Sequence, residues 1–147
     1  MAHIRKQIRD RIEAVLSSAV TAVSGRVYAS RVYPLSEAKL PALTLSTGSE
    51  TSDLITIGVK TLSRALTVHV DAYVRVTDTF DDSVDAIAVE IEEALAADFT
   101  VNGLAKDIVL TGTDVEFSGE TEQPLGIARL TFRVRYVTSI SDVETAR

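Results

Sequence analysis

Apolar and polar residues alternate without a break across Leu62–Val76, LSRALTVHVDAYVRV. Leu66, Val68, Val70, Ala72, Val74 and Val76 fall on one side, and Ala65, Thr67, His69, Asp71, Tyr73 and Arg75 on the other. A period of two, rich in β-branched residues and free of Gly and Pro, predicts a strand with one buried and one polar face. At about 3.3 Å per residue it would run roughly 50 Å, well beyond the usual five or six residues. Gly126–Thr138, GIARLTFRVRYVT, repeats the pattern: Ala128, Leu130, Phe132, Val134 and Tyr136 oppose Arg129, Thr131, Arg133 and Arg135. Two long strands of matching pattern predict the centre of a sheet.

Elsewhere the period changes. Residues 2–23 place Ile4, Ile8, Ile12, Val15, Ala19 and Val23 at steps of three and four, an amphipathic helix that Gly25 would stop. Arg5, Lys6, Arg9 and Arg11 crowd its first turns, where the helix dipole disfavours cations. They suit either a solvated face, with Arg9 and Glu13 paired, or an acidic partner surface. Arg26–Tyr33 and Ala42–Thr47 read as short strands separated by a turn-rich connector. Residues 48–61, GSETSDLITIGVKT, start polar, carry Leu54, Ile55, Ile57 and Val59, and are broken by Gly58. They are compatible with a long loop or a protruding hairpin. A second helix over residues 79–98 has Val84, Ile87, Ala88, Ile91, Ala94 and Leu95 as its apolar stripe. From Asp78 to Asp98 inclusive there are eight acids and no base. Asn102-Gly103 closes that region. Asp107–Phe117 reads as a strand with Gly112 at a bulge. Residues 139–147 form a polar C-terminal tail expected to fray or reach out as an arm.

The predicted order is α-β-β-β-α-β-β. It implies one α+β domain over residues 1–147: an antiparallel-dominated sheet of about five strands, with two amphipathic helices packed on one face.

Composition narrows the function classes. A net charge of −6 and a pI near 4.9 disfavour a general nucleic-acid binder. The absence of cysteine excludes disulfides, thiolate metal sites and cysteine nucleophiles. No apolar run approaches the ~20 residues of a membrane span, and the charged N-terminus does not read as a secretory signal. A soluble, intracellular protein is expected. His3 and His69 are the only histidines, and no metal-ligand spacing or phosphate-binding glycine loop occurs. His69 and Asp71 share a strand face and imitate part of a triad, but no nucleophile elbow accompanies them. A cross-strand cluster with Arg133 or Arg135 is the expected role. No cofactor and no enzymatic activity are expected. The polar sheet face, with its tyrosine and arginines, fits either water or a subunit contact.

Three segments together carry a resemblance: RVYASRVYPLSEAKLPALTLSTGSE, DDSVDAIAVEIEEALAADFTVNGLAKDIVLTGTDVEF and EQPLGIARLTFRVRYVT. Their order and spacing, from about residue 4 to 138, resemble the tail terminator family of long-tailed bacteriophages, the lambda-type minor tail protein U. The resemblance implies a virion structural protein, made in the host cytoplasm and placed at the head-proximal end of the tail. It implies a homo-hexameric ring that ends tube polymerisation and offers the head-tail joining surface. Implied partners are the tail tube protein and the head-tail connector or completion protein, with DNA passing through the lumen without specific binding and no membrane. On that reading, Arg5, Arg9, Leu54, Ile55, Ile57, Val59, Asp71, Arg75, Arg129, Arg133 and Arg135 are the candidate subunit or tail contacts. A head-completion or tail-tube protein, or a small α+β adaptor module outside phages, are the alternatives.

Overall fold

The two alternating segments become the two central strands. In the computed structural model, which describes residues 2–23, 25–29, 41–55, 60–75, 80–118 and 125–147, the elements follow the expected order. They are α1 (Ile4–Ala19), β1 (Val27–Tyr28), β2 (Ala42–Leu54), β3 (Thr61–Arg75), α2 (Phe80–Ala97), β4 (Asp107–Ser118) and β5 (Leu125–Ser139). The sheet order is β1-β2-β3-β5-β4, so the chain is an α+β protein built on one five-stranded sheet. β3 and β5 pair antiparallel from Thr61↔Ser139 to Arg75↔Leu125 without a register shift.

The even-numbered positions behave as their alternation requires. Leu66, Val68, Val70, Ala72 and Val74 of β3, and Ala128, Leu130, Phe132, Val134 and Tyr136 of β5, are buried. They form one hydrophobic cluster with Ile4, Ile8, Ile12 and Leu16 of α1 and Phe80, Val84, Ile87, Ile91 and Leu95 of α2. Full burial of each such side chain is worth about 1.5–3 kcal/mol, which holds the register in place because a one-residue slip would reverse every position. The two helices are tied to each other as well. Arg11 on α1 donates to Asp98 just beyond α2 at 2.9 Å, and Thr21 donates its backbone N–H to Glu90 at 2.9 Å.

Several local expectations change. The first helix ends at Ala19, and Thr21–Val23 continues as a short 3-10 turn. Its buried stripe proceeds in steps of four through Leu16 to Val20, leaving Val15 and Ala19 only partly covered. The i,i+4 pair on this helix joins Lys6 to Asp10 at 2.6 Å, in place of Arg9 and Glu13. The first strand shrinks to Val27–Tyr28, and it runs parallel to β2. A parallel pair needs a crossover connection of a dozen or more residues; positions 30–33 of the expected strand lie outside the described residues.

The largest change is in β2. Instead of ending at Thr47 it continues to Leu54, paired with β3 down to Leu54↔Leu62, so the hairpin alternative holds. The register shifts between Thr47 and Glu50. Gly48 sits at that bulge, where a Cβ would lie 3.1 Å from His69 Nε2, so glycine is what lets the bulged strand pass so close to the ring. Gly112 marks the expected bulge in β4, between Leu110 and Gly112.

The C-terminal tail is anchored instead of frayed. Ile4 donates its backbone N–H to Val143 at 3.0 Å, Gln7 donates to the Glu144 carbonyl at 3.0 Å, and Arg147 donates its backbone N–H to Val137 at 2.8 Å. The tail therefore satisfies the orphan N–H at the start of α1 that a helix leaves open. Polar composition concealed this, because the tail enters these bonds through its backbone atoms.

Candidate functional site

The register aligns the polar face of the sheet row by row. Asp71 on β3 faces Arg129 on β5, which faces Asp114 on β4. Arg129 donates from Nε and Nη2 to the two oxygens of Asp71, at 2.8 and 3.0 Å, a fork-to-fork pair in which Asp71 is buried. That bond to Asp71 raises the Arg129 pKa. One row on, Asp71, Tyr73, Asp114, Glu116, Ile127 and Arg129 line a recess of about 210 Å³. At the opposite end Arg135 forks onto Asp107, and the hydrogen bond from Arg135 holds that carboxyl below its usual range.

The expected cluster of His69 and Asp71 with Arg133 or Arg135 is thus corrected: the partner of Asp71 is Arg129. The reason is register, since Asp71↔Arg129 is a direct cross-strand pair whereas Arg133 faces Thr67. His69 Nδ1 lies 3.2 Å from Thr131 Oγ1. A hydroxyl is therefore beside the imidazole, but both oxygens of the carboxylate that would orient the ring are engaged by Arg129. Among the described residues, no group of three or more His, Asp or Glu gathers as a metal would require. No helix there is long and apolar enough to cross a membrane.

A second polar cluster lies on the other face, under the start of α1. The bulge after Thr47 turns Glu50 inward, opposite Leu66, and its side chain is only 8% exposed. Glu50 accepts the Tyr136 hydroxyl, Arg64 Nη1 at 3.3 Å and Arg5 Nη1 at 3.2 Å. Arg64 also donates from Nε to Thr138 at 3.0 Å, and its guanidinium lies 5.9 Å from the centre of the Tyr136 ring. Burial, then the bond to Glu50, pushes the Tyr136 phenol far above its ordinary range. Sequence reading missed Glu50 and Arg64. Arg64 carried a signal, as a charge on the even-numbered face of β3; Glu50 carried none, because only the bulge turns it inward.

The remaining candidates scatter. Arg5 is committed to Glu50, and Arg9 is half-buried on α1. Arg75, Arg129, Arg133 and Arg135 are exposed on the sheet, and Arg129 and Arg135 are paired to Asp71 and Asp107 of the same chain. Leu54 and Ile55 stand 57% and 52% exposed at the end of the β2–β3 hairpin, and Ile57 and Val59 lie outside the described residues. The structure adds a neighbour: Ile140 donates its backbone N–H to Lys60 at 3.0 Å and is itself exposed, so Leu54, Ile55 and Ile140 cap one end of the sheet.

On the far side of the sheet, β4 is an edge strand, pairing with β5 alone among the described residues. Between it and α2 runs a groove of about 350 Å³, lined by Leu95, Ala96, Ile108, Val109, Leu110 and Phe132 with Glu92 on its rim. Edge and groove were not foreseen, because they depend on which strand ends up outermost. The sequence matches no protein-family model and none of the curated proteins it was compared with.

Proposed function

We propose that this chain is a virion structural subunit of the tail terminator kind. In this reading it assembles head-to-tail into a ring on the head-proximal end of a phage tail tube, ends tube growth and offers the surface for the head. Six subunits, the tube and the connector come from the resemblance of the sequence to that family. One observation carries the ring itself: a single subunit exposes two unlike adhesive surfaces, the apolar hairpin tip at one end of the sheet and the groove-backed edge of β4 along its side. A contact between two different patches, repeated by rotation, closes into a ring; a single self-complementary patch stops at a dimer.

The charge on the subunit supports a lumen for DNA without a binding site for it. The net charge is −6, and Arg5, Arg11, Arg129 and Arg135 are each paired with an acid of the same chain. Such a surface repels phosphate and lets duplex DNA pass. The same pairing changes the expected forces between subunits. Exposed ion pairs add only about 0–1 kcal/mol each, and Arg5, Lys6, Arg11, Arg64, Arg129 and Arg135 are engaged at home, so apolar contacts dominate. Sedimentation and particle imaging at low and high salt, with and without tail tubes, test the reading. Closed rings on tube ends, only modestly weakened by salt, are expected; a strict monomer in every condition defeats it and favours an adaptor module.

A further inference from the structure

We propose that His3 is a proton-operated latch: neutral, it holds the start of α1 closed against the C-terminal tail, and protonated, it lets the two part. The latch does not depend on the ring. His3 occupies the N-cap position of α1, and its Nδ1 accepts the backbone N–H of Arg5 at 3.0 Å. Helix starts are usually capped by an oxygen of Ser, Thr, Asp or Asn, which still accepts in mildly acidic solution. An imidazole nitrogen accepts only while it carries no proton, so the neutral ring with its hydrogen on Nε2 is the capping form.

The surroundings oppose the protonated ring. A helix N-terminus carries partial positive charge, which disfavours a cation at the cap. Arg5 on α1 and Arg64 on β3 act on the ring as cations, and Glu50 on β2 as an acid. Glu50 already accepts Arg5, Arg64 and Tyr136, so it is a poor partner for one more cation. On α1, Lys6 and Asp10 are paired with each other. In the tail, Asp142 and Glu144 flank Val143, and Asp142 accepts the Glu144 N–H at 3.1 Å. Burial, then Arg5 and Arg64, hold the imidazole below its ordinary value against the opposing pull of Glu50.

The tail is fastened at the same turn. Ile4, next to the cap, donates its N–H to the Val143 carbonyl at 3.0 Å. Gln7 Nε2 donates to the Ala2 carbonyl at 2.7 Å and to the Glu144 carbonyl at 3.0 Å, so one amide ties the residue before the cap to the tail. A ring that turns away once protonated therefore disturbs both tail bonds, that of Ile4 directly and that of Gln7 through Ala2. Because the folded value is lowered, the latch is whole above about pH 6.5 and opens as the pH falls through that lowered value.

Amide exchange read by NMR at about pH 7.5 and about pH 5, each rate taken relative to the unfolded chain at the same pH, tests this. At the lower pH the protection of Ile4 and Arg5 should fall about fivefold, the worth of an ordinary cap. Val143 and Glu144 should gain backbone motion, while Val70 in the core stays protected. His3→Asn keeps an acceptor that takes up no proton and should preserve protection at both pH values; His3→Ala should lose it at both. His69 is the only other histidine, so His69→Gln assigns the two ring signals and should leave the fall in place. A fall that persists in His3→Asn overturns the latch. So does a His3 ring that titrates between the two pH values with no change at Ile4 and Glu144.

Discussion

Replacing Glu50 by alanine isolates the buried polar cluster beneath α1. The carboxylate is the shared acceptor for Tyr136, Arg64 and Arg5, and the Glu50 and Arg64 side chains are 8% and 10% exposed. Removing one partner of such a buried pair costs about 3–5 kcal/mol, because the charge left behind has no water to turn to. The Tyr136 hydroxyl loses its acceptor as well, a further 1–3 kcal/mol or so if taken alone. Two effects moderate the sum: Arg64 keeps its bond to Thr138, and Arg5 is 44% exposed and can hydrate. We expect a net loss of about 3–4 kcal/mol, a large part of the 5–15 kcal/mol of an ordinary domain. Urea unfolding would show a lower midpoint at unchanged slope. Glu50→Gln retains an acceptor for the phenol and should lose about half as much. In a double-mutant cycle, Arg64→Met should recover at least about 1 kcal/mol of the Glu50→Ala loss, since the unpaired cation is then gone. A Glu50→Ala loss below about 1 kcal/mol, or a cycle without coupling, would falsify the account of Glu50 as the organising acceptor.

Val70→Asp should prevent folding whereas Thr67→Asp should be tolerated, as judged by soluble yield and melting, because Val70 is fully buried and Thr67 is on the opposite face; equal tolerance would mean the register is wrong. Gly126→Ala should cost about 1–3 kcal/mol, since its Cβ would lie 2.1 Å from the Phe80 ring, and Phe80→Leu should recover part of it; no loss in thermal unfolding counts against that packing. Stability should fall in alkaline solution: the Tyr136 pKa is higher folded than unfolded, so its contribution is complete below about pH 10 and declines as pH rises toward the folded value. Tyr136→Phe should flatten that part of the stability–pH curve, and an unchanged slope would contradict the assignment.

How much of this was legible varies with the range of the interaction. The strands β3 and β5, the two helices and the order of elements were readable because period-two and period-3.6 burial leave local traces. Leu54 and Ile55 were readable as candidates because apolar residues in a polar stretch need a partner. The continuation of β2 beyond Thr47 was hidden: GSETSD has no strand propensity of its own and is held by pairing with the long β3. Phe80 escaped notice because its place in the core depends on a glycine forty-six positions away in sequence, Gly126.

By itself the sequence determined which residues must be buried and in what local geometry, since a side chain's face follows from its parity or its helical angle. Only the tertiary structure decided partnership. Asp71 meets Arg129, and not Arg133 or Arg135, because strand register sets which side chains stand opposite. Glu50 points inward because the bulge before it reverses the parity of its strand. β4 lies at the sheet edge, among the described residues, because β3 and β5 took the centre, and a polar tail became a clasp because its backbone found the free N–H at the start of α1. Composition records what a side chain can do; which atom it meets depends on residues far along the chain, and that is settled only when the whole sheet has closed on its core.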